Sequence, residues 1–191
     1  MSSYDDDIWE LVPDPGPRPP AHIERFVASL GPVGRALDLG CGEGRLATSL
    51  EAQELTVADV SEVALARAAR WLRSASFVSL EPDAPLPLPD NSFELVLCAE
   101  TLEHVRDVQL MISEARRVLV PGGLLAVTTP AHGRATGLDI LLRGFERRFD
   151  PLSPHLRFFS SRSLAGLLEA LGFRVRRLER EEGTLLALAT R

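Results

Sequence analysis

The sequence predicts an α/β fold in which a parallel sheet is covered by helices on both faces, and three features predict it. Short apolar runs alternate with segments whose apolar residues recur at helical spacing, the order that lays parallel strands in one layer. One run, Ala36-Leu37-Asp38-Leu39, leads straight into Gly40-Cys41-Gly42-Glu43-Gly44, a turn with glycine at alternate positions. Glycine there permits positive φ and removes the Cβ atoms that would keep a ligand off the backbone. The last run, Leu185-Leu186-Ala187-Leu188-Ala189, is apolar without interruption, as a strand buried on both faces requires.

Taken in order, residues 1–20 read as an irregular, extended arm, because Pro13, Pro15, Pro17, Pro19 and Pro20 oppose a helix. Tyr4, Ile8, Trp9, Leu11 and Val12 are apolar enough for the arm to dock as an ordered flap. Tyr4 and Trp9 then form a lid over a ligand or cover apolar surface. A helix is predicted over 21–30, with Ile23, Phe26, Val27 and Leu30 on one face and Gly31-Pro32 as its stop. The first strand spans 35–39, and a helix over 44–52 should aim its opening N–H groups at the ligand. The second strand, 54–59, ends at Asp59, and Ser61 caps a helix to about Arg73. A short strand, 76–79, precedes the loop 81–90. The fourth strand is Phe93–Cys98, Asp107 caps the next helix, Pro121-Gly122-Gly123 ends it, and the fifth strand is Leu124–Thr129. Residues 131–159 interrupt the rhythm with His132, Arg134, Arg143, Arg147, Arg148, His155 and Arg157, beyond the C-terminal strand ends where α/β sheets receive ligands. Ser160 or Ser161 then caps a helix closed by Gly172. Phe173–Arg180 and Thr184–Thr190 form a hairpin whose first strand, carrying Arg174, Arg176 and Arg177, suits a sheet edge.

At 191 residues the chain suits one domain with a substantial core, so 1–191 is expected to be a single unit with an arm and helix at 1–32 and an insert at 131–159. A net charge of −6 argues against nucleic acid or an anionic membrane surface as the main partner. No apolar run approaches the roughly 18–20 residues of a membrane span, and the acidic start Met1-Ser2-Ser3-Tyr4-Asp5-Asp6-Asp7 is unlike a signal peptide. The two cysteines, Cys41 and Cys98, lack metal-type spacing, so no metal site and a reduced, cytoplasmic setting are expected.

The glycine turn departs from the dinucleotide pattern, since Arg45 stands where the last small residue belongs. Asp38 beside a pyrophosphate would be repelled, whereas beside an ammonium it is favourable. Asp59, at the tip of the second strand, suits the two hydroxyls of a ribose. An ammonium at one end and a ribose at the other describe S-adenosylmethionine.

With Leu37 to Gly44 and Asp59 stand three further stretches: Leu86-Pro87-Leu88-Pro89-Asp90-Asn91-Ser92-Phe93-Glu94, Glu100-Thr101-Leu102-Glu103-His104-Val105, and Arg117-Val118-Leu119-Val120-Pro121-Gly122-Gly123. On these motifs the chain resembles the class I S-adenosylmethionine-dependent methyltransferases, strongly over residues 33–130. The resemblance implies a Rossmann-like, doubly wound sheet of seven strands in the order 3-2-1-4-5-7-6, with strand 7 antiparallel. It places Gly40, Cys41, Gly42 and Gly44 under the cofactor and Asp38 toward its amino group. It places Asp59 on the ribose, Val60 on the adenine, either Glu81 or Asp83 near the adenine amino group, and Ala99 and Glu100 beside the methionine portion.

His104 is a candidate general base, or it organises the loop after the fourth strand. His132 and His155 are base candidates or packing residues, and Glu100 is a base or a cofactor anchor. The arginines of 134–157 bind an anionic acceptor or form a solvated face. Cys41 and Cys98 read as small apolar fillers. The stretch His155-Leu156-Arg157-Phe158-Phe159-Ser160 resembles bacterial members acting on quinone precursors, sugars or other metabolites. The expectation is O-methylation of a small molecule by a monomer or homodimer. The rivals are N-methylation, a non-catalytic nucleoside-binding partner or sensor, and, more distantly, an NAD-dependent oxidoreductase.

Overall fold

Seven strands form one sheet in the order β3-β2-β1-β4-β5-β7-β6. They are β1 (Val33–Leu39), β2 (Ala52–Asp59), β3 (Ser76–Ser79), β4 (Phe93–Ala99), β5 (Leu119–Pro130), β6 (Arg174–Glu181) and β7 (Thr184–Thr190). The computed structural model describes residues 4–145 and 155–191. Strands β1 to β5 pair in parallel, and β7 enters antiparallel to both β5 and β6. The order and the reversed strand are those the family resemblance implies.

Strand periodicity sorts the core into layers. Leu37, Leu39, Val96 and Cys98 face one side, where α4 (Val108–Val118) and α6 (Ser161–Ala170) supply Ile112, Ala115, Val118, Leu164 and Leu168. Ala36, Leu95, Leu97 and Leu186 face the other, against Ile23, Phe26 and Val27 of α2 (Ala21–Ala28). Each such Leu or Phe contributes about 1.5–3 kcal/mol by leaving water. Helix α3 (Glu62–Ala68) covers Val57 through Leu65. In β7, Leu185, Leu186, Ala187 and Ala189 are all buried, while Arg174, Arg177, Glu179 and Arg180 of β6 are exposed at the edge.

Helix starts follow the predicted caps. The Ser61 hydroxyl accepts from Ala64 N–H, the Asp107 carboxylate from Leu110 N–H, and the Ser160 hydroxyl from Ser163 N–H. Gly172, at φ +83°, ends α6.

Three expectations are corrected. Residues 1–20 are not all irregular: Tyr4–Leu11 form a helix, α1. The prolines begin only at Pro13, and Asp5, Asp6 and Asp7 in the first turn complement the helix dipole. No helix follows the glycine turn; a single 3₁₀ turn, Ala47–Ser49, takes its place. Gly42 and Gly44 both adopt positive φ, and β2 begins at Ala52, so too few residues remain for an α-helix. Pro121-Gly122-Gly123 does not terminate the helix but lies inside β5, because α4 already ends at Val118 and Leu119 is extended. The pairing of β4 with β5 shifts register across this stretch, absorbing the extra residues.

Within the insert, Arg134–Arg143 form α5, and Arg143 pairs with Asp139 at 3.1 Å. Arg157 donates to the Arg106 carbonyl. Arg147 and Arg148 lie outside the described residues.

Candidate active site

The tips of β1, β2 and β4 converge, and backbone bonds lock them together. Gly40 and Cys41 N–H both donate to the Ala58 carbonyl of β2, at 2.8 and 3.1 Å, and Gly44 N–H closes the turn onto Cys41 O at 2.9 Å. Gly40 must be glycine twice over. Its φ is +78°, and a Cβ there would meet Thr101 Cγ2 at 2.3 Å. The Thr101 hydroxyl fits into that gap, donating to Ala99 O at 2.9 Å and approaching Gly40 O at 3.2 Å.

Asp59 organises the turn from β2. One of its oxygens accepts from Gly42 N–H at 2.8 Å and the other from Ser61 N–H at 2.9 Å. Burial raises its pKa against the pull of these bonds. Asp38 is 2% exposed, and burial, with the Asp59 charge, pushes its carboxyl up to about 7. Among the described residues no basic side chain pairs with it. A buried acid that lacks a cation is costly to ionise, so a ligand that brings an ammonium gains most there.

The cleft above these tips has two lobes sharing Trp9, Val12, Gly40, Gly42 and Glu100. The smaller, about 300 Å³, is lined by Asp38, Cys41 and Ala99. The larger, about 550 Å³, runs past Asp59, Val60, Glu81 and Asp83 to His104 and Leu156. The predicted cofactor residues other than Gly44 therefore line one continuous cleft, whereas Gly44 lines neither lobe and packs toward Leu72 and Ala68. The bare glycine backbone, the uncompensated Asp38 and the acid at the strand tip fit a cationic nucleoside. Glu81 and Asp83 both reach the larger lobe, and Asp83 lies 3.5 Å from the Arg106 guanidinium.

Helix α1 roofs the cleft. Asp6 accepts from the Ser61 hydroxyl at 2.7 Å, and Arg67 donates to the Val12 and Pro13 carbonyls. Trp9 stands so close over Gly42 that a Cβ there would lie 2.8 Å from its ring. Behind it, buried Glu43 accepts from Gly16 N–H at 3.1 Å and from Arg45, tying the arm to the glycine turn. Sequence reasoning missed this clasp, whose only trace is an acid amid the glycines.

On the β4 side, Glu100 holds φ +51°, an uncommon conformation for a residue with a side chain. Its carboxylate accepts from the Thr128 hydroxyl at 2.8 Å, and burial, then the Glu103 charge, pushes its pKa up to about 7. Glu103, also missed as a candidate, is 2% exposed; it accepts from the Thr129 hydroxyl at 3.0 Å and is raised to about 7 by burial. Its other oxygen is 3.9 Å from His104 Nε2. His155 meets His104 edge-on, ring centroids 4.9 Å apart, and burial lowers its pKa. His132 stacks edge-on against Phe158 and is not among the residues lining the cleft. Burial raises both the Cys41 and Cys98 thiols far above their usual range, which makes them inert fillers.

Comparison with known proteins agrees with this geometry. The family model described as a methyltransferase domain matches residues 17–178. A Mycolicibacterium smegmatis protein described as a probable S-adenosylmethionine-dependent methyltransferase is 35% identical over 157 residues, covering 73% of this chain and 51% of that protein. The ubiquinone biosynthesis O-methyltransferase of Brucella anthropi is 34% identical over 128 residues, covering 63% and 51%. The chain thus spans about half the length of these relatives. Among solved structures, an S-adenosylmethionine-dependent methyltransferase from Mesorhizobium loti shares the fold at TM-score 0.67 with 22% identity, over 87% of this chain and 96% of that one. No helix among the described residues is long and apolar enough to cross a membrane. By its motifs, its sheet order and this match, the chain belongs to the class I S-adenosylmethionine-dependent methyltransferases.

Proposed function

We propose that this protein methylates an oxygen of a small molecule, such as a sugar, a quinone precursor or a related metabolite. The observation that carries the reading is Glu100, a carboxyl with a pKa near 7 that lines both lobes of the cleft. An acceptor hydroxyl arrives protonated and needs a base matched to neutral pH. Bound in the cleft, the cofactor supplies a methyl group on a sulfonium centre, open to in-line displacement.

The residues of the chain do the rest. Asp38 pairs with the ammonium of the cofactor, Asp59 accepts the ribose hydroxyls, and Val60 packs on the adenine. Gly40, Cys41 and Gly42 would form the floor, with Gly44 closing the turn beneath it, and Glu81 or Asp83 would take the adenine amino group. Ala99 and Glu100 flank the methionine portion. Glu100 would take the proton of the acceptor hydroxyl, leaving the oxygen free to receive the methyl group that the bound cofactor would supply. His104 stands on the acceptor side. Trp9 and Tyr4 cover the cleft, excluding water; orientation of this kind lowers a barrier by up to about 7–11 kcal/mol.

The test is incubation with methyl-labelled S-adenosylmethionine and a panel of phenols, sugars and amines, with products read by mass spectrometry. Label on oxygen, lost in Glu100→Gln, is the expected result. Label on nitrogen or carbon alone overturns the oxygen reading. Binding of S-adenosylhomocysteine without turnover of any acceptor overturns the enzyme reading in favour of a sensor.

A further inference from the structure

We propose that Glu103, His104 and His155 form a binding site for a divalent transition-metal ion, placed at the acceptor end of the cleft to hold the acceptor oxygen. One ligand atom from each lies within 4.8 Å of the others. Atoms bound to one ion at about 2.0–2.2 Å sit roughly 3–3.6 Å apart. The Glu103 to His104 separation of 3.9 Å is already near that range. The His104 side chain is 40% exposed, open to an ion arriving from the cleft.

The three residues come from two distant parts of the chain, and the backbone clamps those parts together. The Glu103 carbonyl accepts from both Leu156 N–H at 2.7 Å and Arg157 N–H at 3.0 Å, while the Arg157 guanidinium bonds to the Arg106 carbonyl. His155 is thereby held beside the loop after β4. The Thr129 hydroxyl donates to one oxygen of Glu103 and leaves the other facing His104, the kind of outer contact that orients a metal-binding carboxylate. Buried Glu103 and half-buried Glu100 both lack a Lys or Arg partner among the described residues, so a cation there would offset acidic groups that nothing else compensates.

Two imidazoles with one carboxylate favour first-row transition ions over magnesium or calcium, which prefer all-oxygen shells. Three protein ligands leave positions open for water or substrate. His104 and Leu156 line the larger lobe, so those positions face it. An acceptor hydroxyl bound there is polarised toward Glu100. This role rests on the oxygen-acceptor reading; the site itself does not.

The experiment uses the full chain stripped with EDTA and titrated with Co²⁺, followed by visible absorption, with no acceptor present. One saturable Co²⁺ with a ligand-field spectrum is expected. That binding should be lost in His155→Ala and His155→Gln, weakened over tenfold in Glu103→Gln, and weakened about tenfold in Thr129→Val. S-adenosylhomocysteine affinity and thermal unfolding serve as folding controls and should stay within twofold and a few degrees for both His155 variants. No Co²⁺ spectrum, or the same spectrum in both His155 variants, overturns the site. Turnover on an oxygen acceptor should then fall over tenfold on stripping and return with metal; unchanged turnover overturns the placement at the acceptor. Failure to find any oxygen acceptor would sink the oxygen reading and leave the Co²⁺ spectrum untouched.

Discussion

The two ends of the cleft are built in different ways. The cofactor end is local: Asp38, Gly40, Gly42, Asp59 and Ser61 lie between the end of β1 and the residues just after β2, and main-chain bonds from Gly40, Cys41 and Gly42 hold it together. The acceptor end gathers Glu100, Glu103 and His104 after β4, Thr128 and Thr129 of β5, and the segment at 155–157. Its side chains are fixed by partners distant in sequence. A local backbone cradle tolerates little change and is shared by many acceptors. An end assembled from several segments can be altered one segment at a time, and that is where we propose specificity resides.

The largest effect should come from the acceptor end. Glu100→Gln keeps the shape and removes the base, and kcat should fall by about 10²–10⁴ while S-adenosylhomocysteine binding changes little. A loss under fivefold would assign proton transfer elsewhere.

Next comes the cradle. Gly40→Ala places a Cβ 2.3 Å from Thr101 Cγ2 at φ +78°, whereas Gly122→Ala has φ +82° and open space. Urea denaturation should show a loss of about 3 kcal/mol for the first and about 1 kcal/mol for the second. Equal losses would mean that the clash with Thr101 contributes nothing.

Asp59→Ala removes the acceptor of Gly42 and Ser61 N–H as well as the proposed ribose contact. Calorimetry should show S-adenosylhomocysteine bound over tenfold more weakly, since charged hydrogen bonds are worth about 1.5–3 kcal/mol. Unchanged affinity would end the ribose assignment.

Asp38 makes the cofactor end sensitive to pH. Its folded pKa, about 7, lies above the unfolded value near 3.8, so the folded state retains a proton the unfolded chain has lost. Stability of the free protein should therefore fall as pH rises from about 4 to about 7. An ammonium ligand requires the carboxylate, so affinity should rise about tenfold between pH 6 and pH 8. The affinity slope should flatten in Asp38→Asn, and the stability slope should lessen but persist, because Glu100 and Glu103, also raised to about 7, lose stability over the same range; an affinity slope that survives there would point to another group.

The smallest effect is expected at the roof. Trp9→Ala removes the ring over Gly42 but leaves Asp6 and Arg67 to hold α1. Stopped-flow release of S-adenosylhomocysteine should quicken about threefold with little change in melting temperature. An unaltered rate would make Trp9 a cover for apolar surface and not a lid.

Legibility in the sequence followed the same division. The capping residues Ser61, Asp107 and Ser160 were readable because each serves a bond three residues away. The missing helix after Gly44 was not, since the early start of β2 shortens the connection. Helix α1 was hidden because its stability comes from docking on α3 and the cleft, not from a buried stripe of its own; none of its residues is fully buried. Glu103 looked like part of a motif and nothing more, because its significance lies in Thr129 and His155, 26 and 52 positions away by residue number.

By itself, the sequence determined the glycine turn and the acids at the tips of the first two strands, Asp38 and Asp59, because these depend on contacts within a few residues or on one strand running beside the next; the strand order came with the family resemblance that those motifs carry. Only the tertiary structure decided that α1 closes over Gly42, that Glu43 clasps the arm, and that Glu103, His104 and His155 meet. Those outcomes depend on which distant surfaces exclude water together, and no local spacing encodes that.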